Sequence, residues 1–187
     1  MAGSRLERLQ DIESAVWREL ARAVKGPGHA WRVAVLATRD AEGADARSVV
    51  LRELDVEARQ LLIYTDARSP KLGQLAAHPS GTLVLWSSEL GWQLRLSVTL
   101  EAETSGLRLS SRWALLKLTP AAQDYLSPLP PGSHLDAPAG APVPERDSRE
   151  HFALITASVT AVDWLELHAK GHRRARFDAS GAVWLTP

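Results

Sequence analysis
The stretch Trp92-Gln-Leu-Arg-Leu-Ser-Val-Thr-Leu100 alternates without a break, Trp92, Leu94, Leu96, Val98 and Leu100 pointing one way and Gln93, Arg95, Ser97 and Thr99 the other. A strict period of two marks a β-strand with one face in a core and the other toward polar surroundings. Upstream, Glu89-Leu90-Gly91 reads as a hairpin turn that joins this strand to the apolar run Thr82 to Trp86. Further back, strand-like runs at 30–38, 46–54 and 60–65 are separated by turn-forming residues, DAEGAD being the clearest. Downstream come a long β run from about Phe152 to Leu167, a turn at Ala169-Lys170-Gly171, a strand at 172–177, the turn DASG and a last strand at 182–186. About eight strands with helices set between them predict a mainly β, α+β fold, a small antiparallel barrel with peripheral helices.

Ser4-Arg5-Leu6-Glu7 has the form of a capping box, and Leu6, Leu9, Ile12, Val16, Leu20 and Val24 recur at helical spacing until Gly26-Pro27-Gly28. An amphipathic helix is therefore expected over about 4–25. Two more are expected, from Ser69 to His78 and over 107–126, the latter packing through Trp113, Leu116 and Tyr125. The segment 126–147 is rich in proline, glycine and alanine and too long for a simple connection, which makes it a lid, an interface loop or slack. The 187 residues read as a single domain, 1–187.

Twenty-two basic and twenty-two acidic side chains cancel, so bulk charge points to neither a nucleic acid nor a membrane surface. Cysteine is absent, which excludes disulfides, thiolate catalysis and cysteine zinc sites. The N-terminus is charged and lacks an apolar signal core, and no apolar run approaches spanning length, so a cytoplasmic protein is expected.

The stretch YTDARSPK, 64–71, raises a question of charge. Ser69 suits an N-cap and Pro70 the first helical position, which sets Lys71 in the first turn, against the positive end of the helix dipole. A cation is at home there only beside an anion, and capped helix starts bind phosphate. Arg68 lies just upstream, and Arg47 and Arg52 border the strand RSVVLR. From spacing alone, solvated surface charge is the favoured reading of all four and a phosphate site the other. Parity also sets Arg47 and Arg52 on opposite sides of a regular strand, so both meet one ligand only across a bulge or around a strand end.

In order along the chain, R-S-V-V-L-R, Y-T-x-x-x-S-x-K-x-x-x-L, W-Q-L-R-L, a tryptophan-containing strand, an arginine-rich hairpin ending R-F and the terminal W-L-T-P resemble the pyridoxamine 5'-phosphate oxidase superfamily. More narrowly, the chain resembles the oxidase-like branch of its FMN-binding proteins, and the resemblance covers nearly all of the sequence from about residue 30. It implies a split β-barrel homodimer with an FMN at each subunit interface. It further implies Arg47 toward the FMN phosphate, Val49 and Leu51 near the flavin, and Tyr64 and Thr65 beside the ring and phosphate chain. Ser69 and Lys71 match the phosphate-binding S-R-K, with Pro70 replacing its arginine, so that one phosphate contact is missing or comes from Arg68. Gln93 matches a glutamine at the isoalloxazine edge, and its place on the polar face agrees. Trp164 and Arg176 match residues that one subunit supplies to its partner's flavin. Arg52 stands where a substrate-binding lysine is placed, and Arg52 and Arg174 are the expected contacts for an anionic substrate. The chain departs from the phosphate-substrate oxidases where their last hairpin has R-x-H, since it carries His172-Arg173-Arg174 there. Their phosphate-holding tyrosine, arginine and serine have no convincing counterpart in SRWALLKLTPAAQDYL.

The resemblance implies an FMN-dependent oxidoreductase acting on a small substrate, phosphorylated or otherwise anionic, with no protein acid or base singled out. Its alternatives are a non-catalytic flavin- or heme-binding module and a deazaflavin-dependent reductase of the same superfamily. No metal site is expected, because Gly171 and the turn around it break the helical geometry that would aim His168 and His172 at one ion. The run Lys170 to Arg176 reads as an exposed or flavin-facing hairpin, not a nucleic-acid contact.

Overall fold
The computed structural model describes residues 5–135 and 149–187. The first helix, α1, spans Leu9–Lys25 and buries Ile12, Val16, Trp17 and Leu20. It begins later than the capping-box pattern suggests, with Arg8 as an N-cap that makes no side-chain cap. Tertiary contacts hold the preceding residues extended: Arg5 donates to Glu166 at 2.7 Å, and the Leu6 carbonyl accepts from Arg173 at 2.7 Å. Gly26 ends the helix, its N–H donating to the Arg22 carbonyl at 3.1 Å.

A short 3-10 turn, Ala30–Arg32, takes the start of the run expected as a strand, and β1 follows at Val33–Arg39. Then come β2 (Ala44–Asp55), β3 (Gln60–Asp66), α2 (Pro70–Ala77), β4 (Ser80–Ser87), β5 (Trp92–Glu103) and α3 (Leu107–Leu116). After a second 3-10 turn, Pro120–Tyr125, the chain finishes with β6 (Phe152–Glu166), β7 (Arg173–Asp178) and β8 (Gly181–Leu185). The helix expected over 107–126 is thus divided. Pro120 has no N–H to donate and disfavours helical backbone at Thr119, so the second half coils as 3-10.

Every strand pairing is antiparallel, in the order β3-β2-β1-β4-β5-β6-β7-β8, and β3 also pairs with β6. That extra pairing closes six strands into a barrel and leaves β7 and β8 as an extension. The alternation in β5 is realised, Leu94, Leu96, Val98 and Leu100 all lying in the core. The β4–β5 hairpin turns at Gly91, whose φ of 65° is open to glycine at little cost, and a Cβ there would lie 2.8 Å from the Leu167 carbonyl oxygen.

Strand β6 is the wall shared by barrel and extension. The β5 register slips at Ser97/Val98, leaving Thr160 unpaired, and its hydroxyl donates to the Ser97 carbonyl at 3.1 Å. This bulge reverses which residues face inward, from Ile155 and Ala157 before it to Val162 and Trp164 after it. Before the bulge, Phe152 and Leu154 turn outward into a second apolar cluster with Leu62, Leu109, Trp113, Leu116, Tyr125 and Leu126. Both faces are therefore buried, which is why the sequence here reads as continuous apolar residues with no alternation. Among the described residues no helix is long and apolar enough to cross a membrane. Most of the proline-rich segment, 136–147, lies outside the described residues.

Candidate functional site
Alternation along β2 puts Arg47 on the same face as the core residues Val49 and Leu51, but one step from the strand's open end. Its guanidinium therefore emerges at the rim of the barrel, under α2, instead of in the core. There it donates to the Thr38 hydroxyl, to Asp45 and, at 2.8 Å, to the Gln74 side-chain oxygen. Gln74 knits the cluster, its amide also donating to Asp45 at 2.9 Å and its oxygen accepting from Thr38 at 2.6 Å.

Ser69 precedes Pro70 at the start of α2 as expected, yet its hydroxyl makes no cap to the helix backbone. It accepts from Lys71 Nζ at 2.7 Å, and the buried Thr65 hydroxyl accepts from the same ammonium at 2.8 Å. Burial, and next the positive charge of Arg47, hold Lys71 below its ordinary pKa, with Asp66 and Asp45 acting in the opposite direction. Two cations are thus brought into electrostatic contact at a helix start, an arrangement that a dianion relieves. Arg68 does not join them. It grips Asp66 with two bonds, at 3.0 and 2.7 Å, and reaches the carbonyls of Ser127 and Pro128, so the expectation that it replaces the missing phosphate contact is corrected.

Tyr64, the outward-facing neighbour of Thr65, stacks edge-on against Phe152 with centroids 5.2 Å apart. Its hydroxyl donates to Glu53 at 2.9 Å, and the Arg52 guanidinium lies over its ring, 5.4 Å from the centroid. The β2–β3 register slips between Leu51 and Glu53, so the bulge that parity required is present at Arg52. It does not bring Arg52 to Arg47: Arg52 turns toward the outer cluster, touching Tyr125 at 3.4 Å, with its buried Nε unpartnered among the described residues. Val49 and Leu51 point into the core, so their side chains are corrected from flavin contacts to packing, and only the β2 backbone is on hand there.

A second group lies on β5 to β7. Gln93 sits opposite Trp86 on the outer face, and its amide has no hydrogen-bond partner among the described residues. Arg174 is held to Asp163 by bonds of 3.0 and 2.7 Å, and Arg95 reaches the same carboxylate at 2.6 Å. Arg176 pairs with Asp178 at 2.8 Å, and Arg173 with Glu166. Each hairpin arginine from Arg173 to Arg176 thus has a carboxylate. Trp164 is corrected: at 0% exposure it is enclosed by Trp92, Trp184 and Arg173 and offers no surface to a second chain. His168 and His172 each use Nδ1 to accept a backbone N–H of the turn, from Lys170 and His168 respectively.

No hydrogen bond or ion pair among the described residues joins this group to the Arg47–Lys71 cluster. Thr38, Asp45, Gln74, Glu53 and Arg112 were not singled out from sequence. Two carried a signal all the same: Asp45 is two residues before Arg47 on one strand face, and Gln74 is one helical turn beyond Lys71.

A six-stranded closed barrel with an electropositive notch at the head of a short helix defines the class of FMN-binding split-barrel proteins, and the cations and hydroxyls present fit a phosphate. Residues 14–103 match the family model described as "Pyridoxamine 5'-phosphate oxidase, FMN-binding domain". Through this segment, just under half of its length, the chain is similar to that family. It is similar to the pyridoxine/pyridoxamine 5'-phosphate oxidase of Thermosynechococcus vestitus, 37% identical over 42% of this chain and 40% of that one. It is also similar to the enzyme of the same description from Caulobacter vibrioides, 29% identical over 81% and 72% of the two chains. The chain therefore spans well under half the length of the first relative and nearly three quarters of the second. Among solved structures, an FMN-binding protein from Nostoc punctiforme superposes with a TM-score of 0.72 at 21% identity, covering 93% of this chain and 96% of that one. PhzG from Burkholderia lata, solved with tetrahydrophenazine-1-carboxylic acid, gives 0.73 at 17% identity, covering 99% and 98%. At these identities the superpositions establish the fold.

Proposed function
We propose that this chain is an FMN-dependent oxidoreductase of the pyridoxamine 5'-phosphate oxidase type, a single-domain cytoplasmic protein working as a homodimer on a small anionic substrate. The observation that carries the reading is that Lys71 is bonded to the hydroxyls of Ser69 and Thr65 at the start of α2 while Arg47 is bonded to Gln74, one turn further along the same helix. Lys71, Arg47 and the two hydroxyls hold the phosphate. Tyr64 borders the ring, and Gln93 and Arg176 come from the second subunit, which accounts for their separation from the cluster within one chain. The bound flavin supplies hydride acceptance. Everything else the chain does is binding, orientation and exclusion of water.

The outer barrel face supports a dimer. Val33, Val35 and Trp86 are 51%, 41% and 45% exposed on adjoining strands, and Gln93 lies beside Trp86. Such a face is costly to leave wet, and a second copy covers it. Arg52, with no carboxylate partner and an unsatisfied Nε among the described residues, is the substrate's anionic contact. Arg174 is less free, because Asp163 already holds it. That commitment favours, as a second reading, a module that binds flavin without turning substrate over.

The test is direct. Purified protein is expected to show a flavin spectrum and to release a coenzyme with the mass of FMN, and Arg47→Ala with Lys71→Met is expected to abolish both. Bleaching by pyridoxine phosphates, amines or reduced nicotinamides supports the oxidoreductase; bound FMN that none of them reduces supports the binder. A copurifying heme or deazaflavin defeats the FMN assignment.

A further inference from the structure
We infer that Glu53 is a positioning residue for the flavin pocket, tying Tyr64 to α3 through Arg112; this rests on the placement of Tyr64 beside the flavin proposed above. The bulge at Arg52 is the origin of the arrangement. It turns Glu53 to the same outer side as Arg52, so two successive side chains reach one tyrosine, a cation over its ring and a carboxylate at its hydroxyl. In an unbroken strand Glu53 would face the core with Leu51.

The carboxylate is itself fixed. Arg112 on α3 donates from Nε to one Glu53 oxygen at 3.1 Å and from a terminal nitrogen to the other at 2.9 Å, the two-pronged geometry that sets orientation as well as distance. The first of those oxygens also accepts the Tyr64 hydroxyl. The chain of contacts runs Arg112, Glu53, Tyr64, Thr65, ending at a hydroxyl that holds Lys71. Burial pushes Tyr64 well above its ordinary pKa and the bond to Glu53 adds to this, so the phenol stays neutral and its one proton stays directed at Glu53. Burial also disfavours ionised Glu53, but the bonds from Arg112 and Tyr64 outweigh it and the carboxylate stays charged.

Two consequences distinguish this from packing alone. Tyr64 has no hydroxyl proton to give to a flavin, so it serves by the place of its ring. The position of that ring depends on α3, because Glu53 and Arg112 also line a cleft of about 600 Å³ between α3 and the β2–β3 hairpin, with Leu54, Asp55, Gln60 and Arg108. The Glu53 side chain is 41% exposed, and among the described residues the Arg112 fork is the ion pair that holds its carboxylate toward Tyr64.

The experiment is a double-mutant cycle on the flavin-loaded protein, with a tyrosine titration as a separate readout. Glu53→Gln is expected to weaken FMN binding on the order of tenfold, the scale of losing a hydrogen bond to a charged acceptor, and to add no more than about twofold in a Tyr64→Phe background. The chain has two tyrosines, both raised by burial, so the ionisation of Tyr64 is read in a Tyr125→Phe background. Glu53→Gln and Arg112→Gln are both expected to lower the midpoint of Tyr64, the first by removing the carboxylate that raises it and the second by releasing that carboxylate from the tyrosine. An Arg112 that acted on Tyr64 by its charge alone would give the opposite sign for Arg112→Gln. Equal weakening by Glu53→Gln in the wild-type and Tyr64→Phe backgrounds overturns the inference, as does a midpoint that moves with neither variant. Should Glu53→Gln fold poorly, Arg112→Gln carries both readouts. Failure of the flavin site itself appears elsewhere, as unchanged FMN affinity in Lys71→Met, and leaves the tyrosine titration intact.

Discussion

Replacing Lys71 by methionine keeps an unbranched apolar stem, one atom shorter, and removes the charge. In the folded chain that ammonium makes two hydrogen bonds, at 2.7 and 2.8 Å, to hydroxyls at the start of α2, and it stands in the field of Arg47. A phosphate at this point gains one charge-assisted contact from it, worth about 1.5–3 kcal/mol net, so the FMN Kd is expected to rise about 10- to 150-fold. The same substitution changes the pH dependence of the flavin-free protein in a direction fixed by the environment. Lys71 titrates below its ordinary 10.5 when folded, first because it is buried and next because of Arg47. Between the lowered folded value and 10.5 the unfolded chain binds the proton that the folded chain has released, so stability contributed at this site rises with pH across that window. Lys71→Met removes the contribution. The stability of wild type relative to the variant is therefore expected to increase as pH is raised toward 10.5, read from urea midpoints of the two flavin-free proteins. Unchanged FMN affinity, or a stability difference that moves the other way with pH, refutes the reasoning.

Asp163→Asn leaves Arg95 and Arg174 side by side without their shared carboxylate and is expected to cost about 2–4 kcal/mol in urea unfolding. Because those arginines hold the Asp163 carboxyl below its ordinary range against the effect of burial, the wild-type advantage is expected above about pH 4 and to fade as pH drops through the lowered folded value. Gly91→Val, at φ 65° and with its Cβ 2.8 Å from a carbonyl oxygen, is expected to lower stability by about 2 kcal/mol or more, measured by thermal melting. Trp86→Asp sets a charge in the exposed face of β4 and is expected to give a monomer by gel filtration that has also lost its flavin; a flavin-loaded dimer would show that the second copy docks elsewhere.

Alternation made the barrel wall legible where one face is buried and the other wet, as in β5. It failed where both faces are covered: the first half of β6 has α3 on one side and the barrel on the other, and its apolar run carries no period. The Lys71 cluster was partly legible, because a lysine in the first turn of α2 runs against the helix dipole, and local conflicts of this kind are where function is sought. The tethering of Arg68 by Asp66 and of Arg174 by Asp163 was not, since an arginine free to bind and one already paired look alike in a string of letters. Parity foresaw a bulge at Arg52 but assigned it the wrong purpose. It serves to bring Arg52 and Glu53 together at Tyr64, a contact that depends on three segments distant in sequence.

Strand β6 belongs at once to the barrel, through β3 and β5, and to the extension, through β7. A sheet stitched in this way has no seam along which to come apart, so loss of the pairing between Gln60 and Ser158 is expected to take the C-terminal hairpin with it. Because that pairing joins residues about a hundred positions apart, it is a slow event in folding, and the newly made chain cannot close its barrel until β6 has left the ribosome.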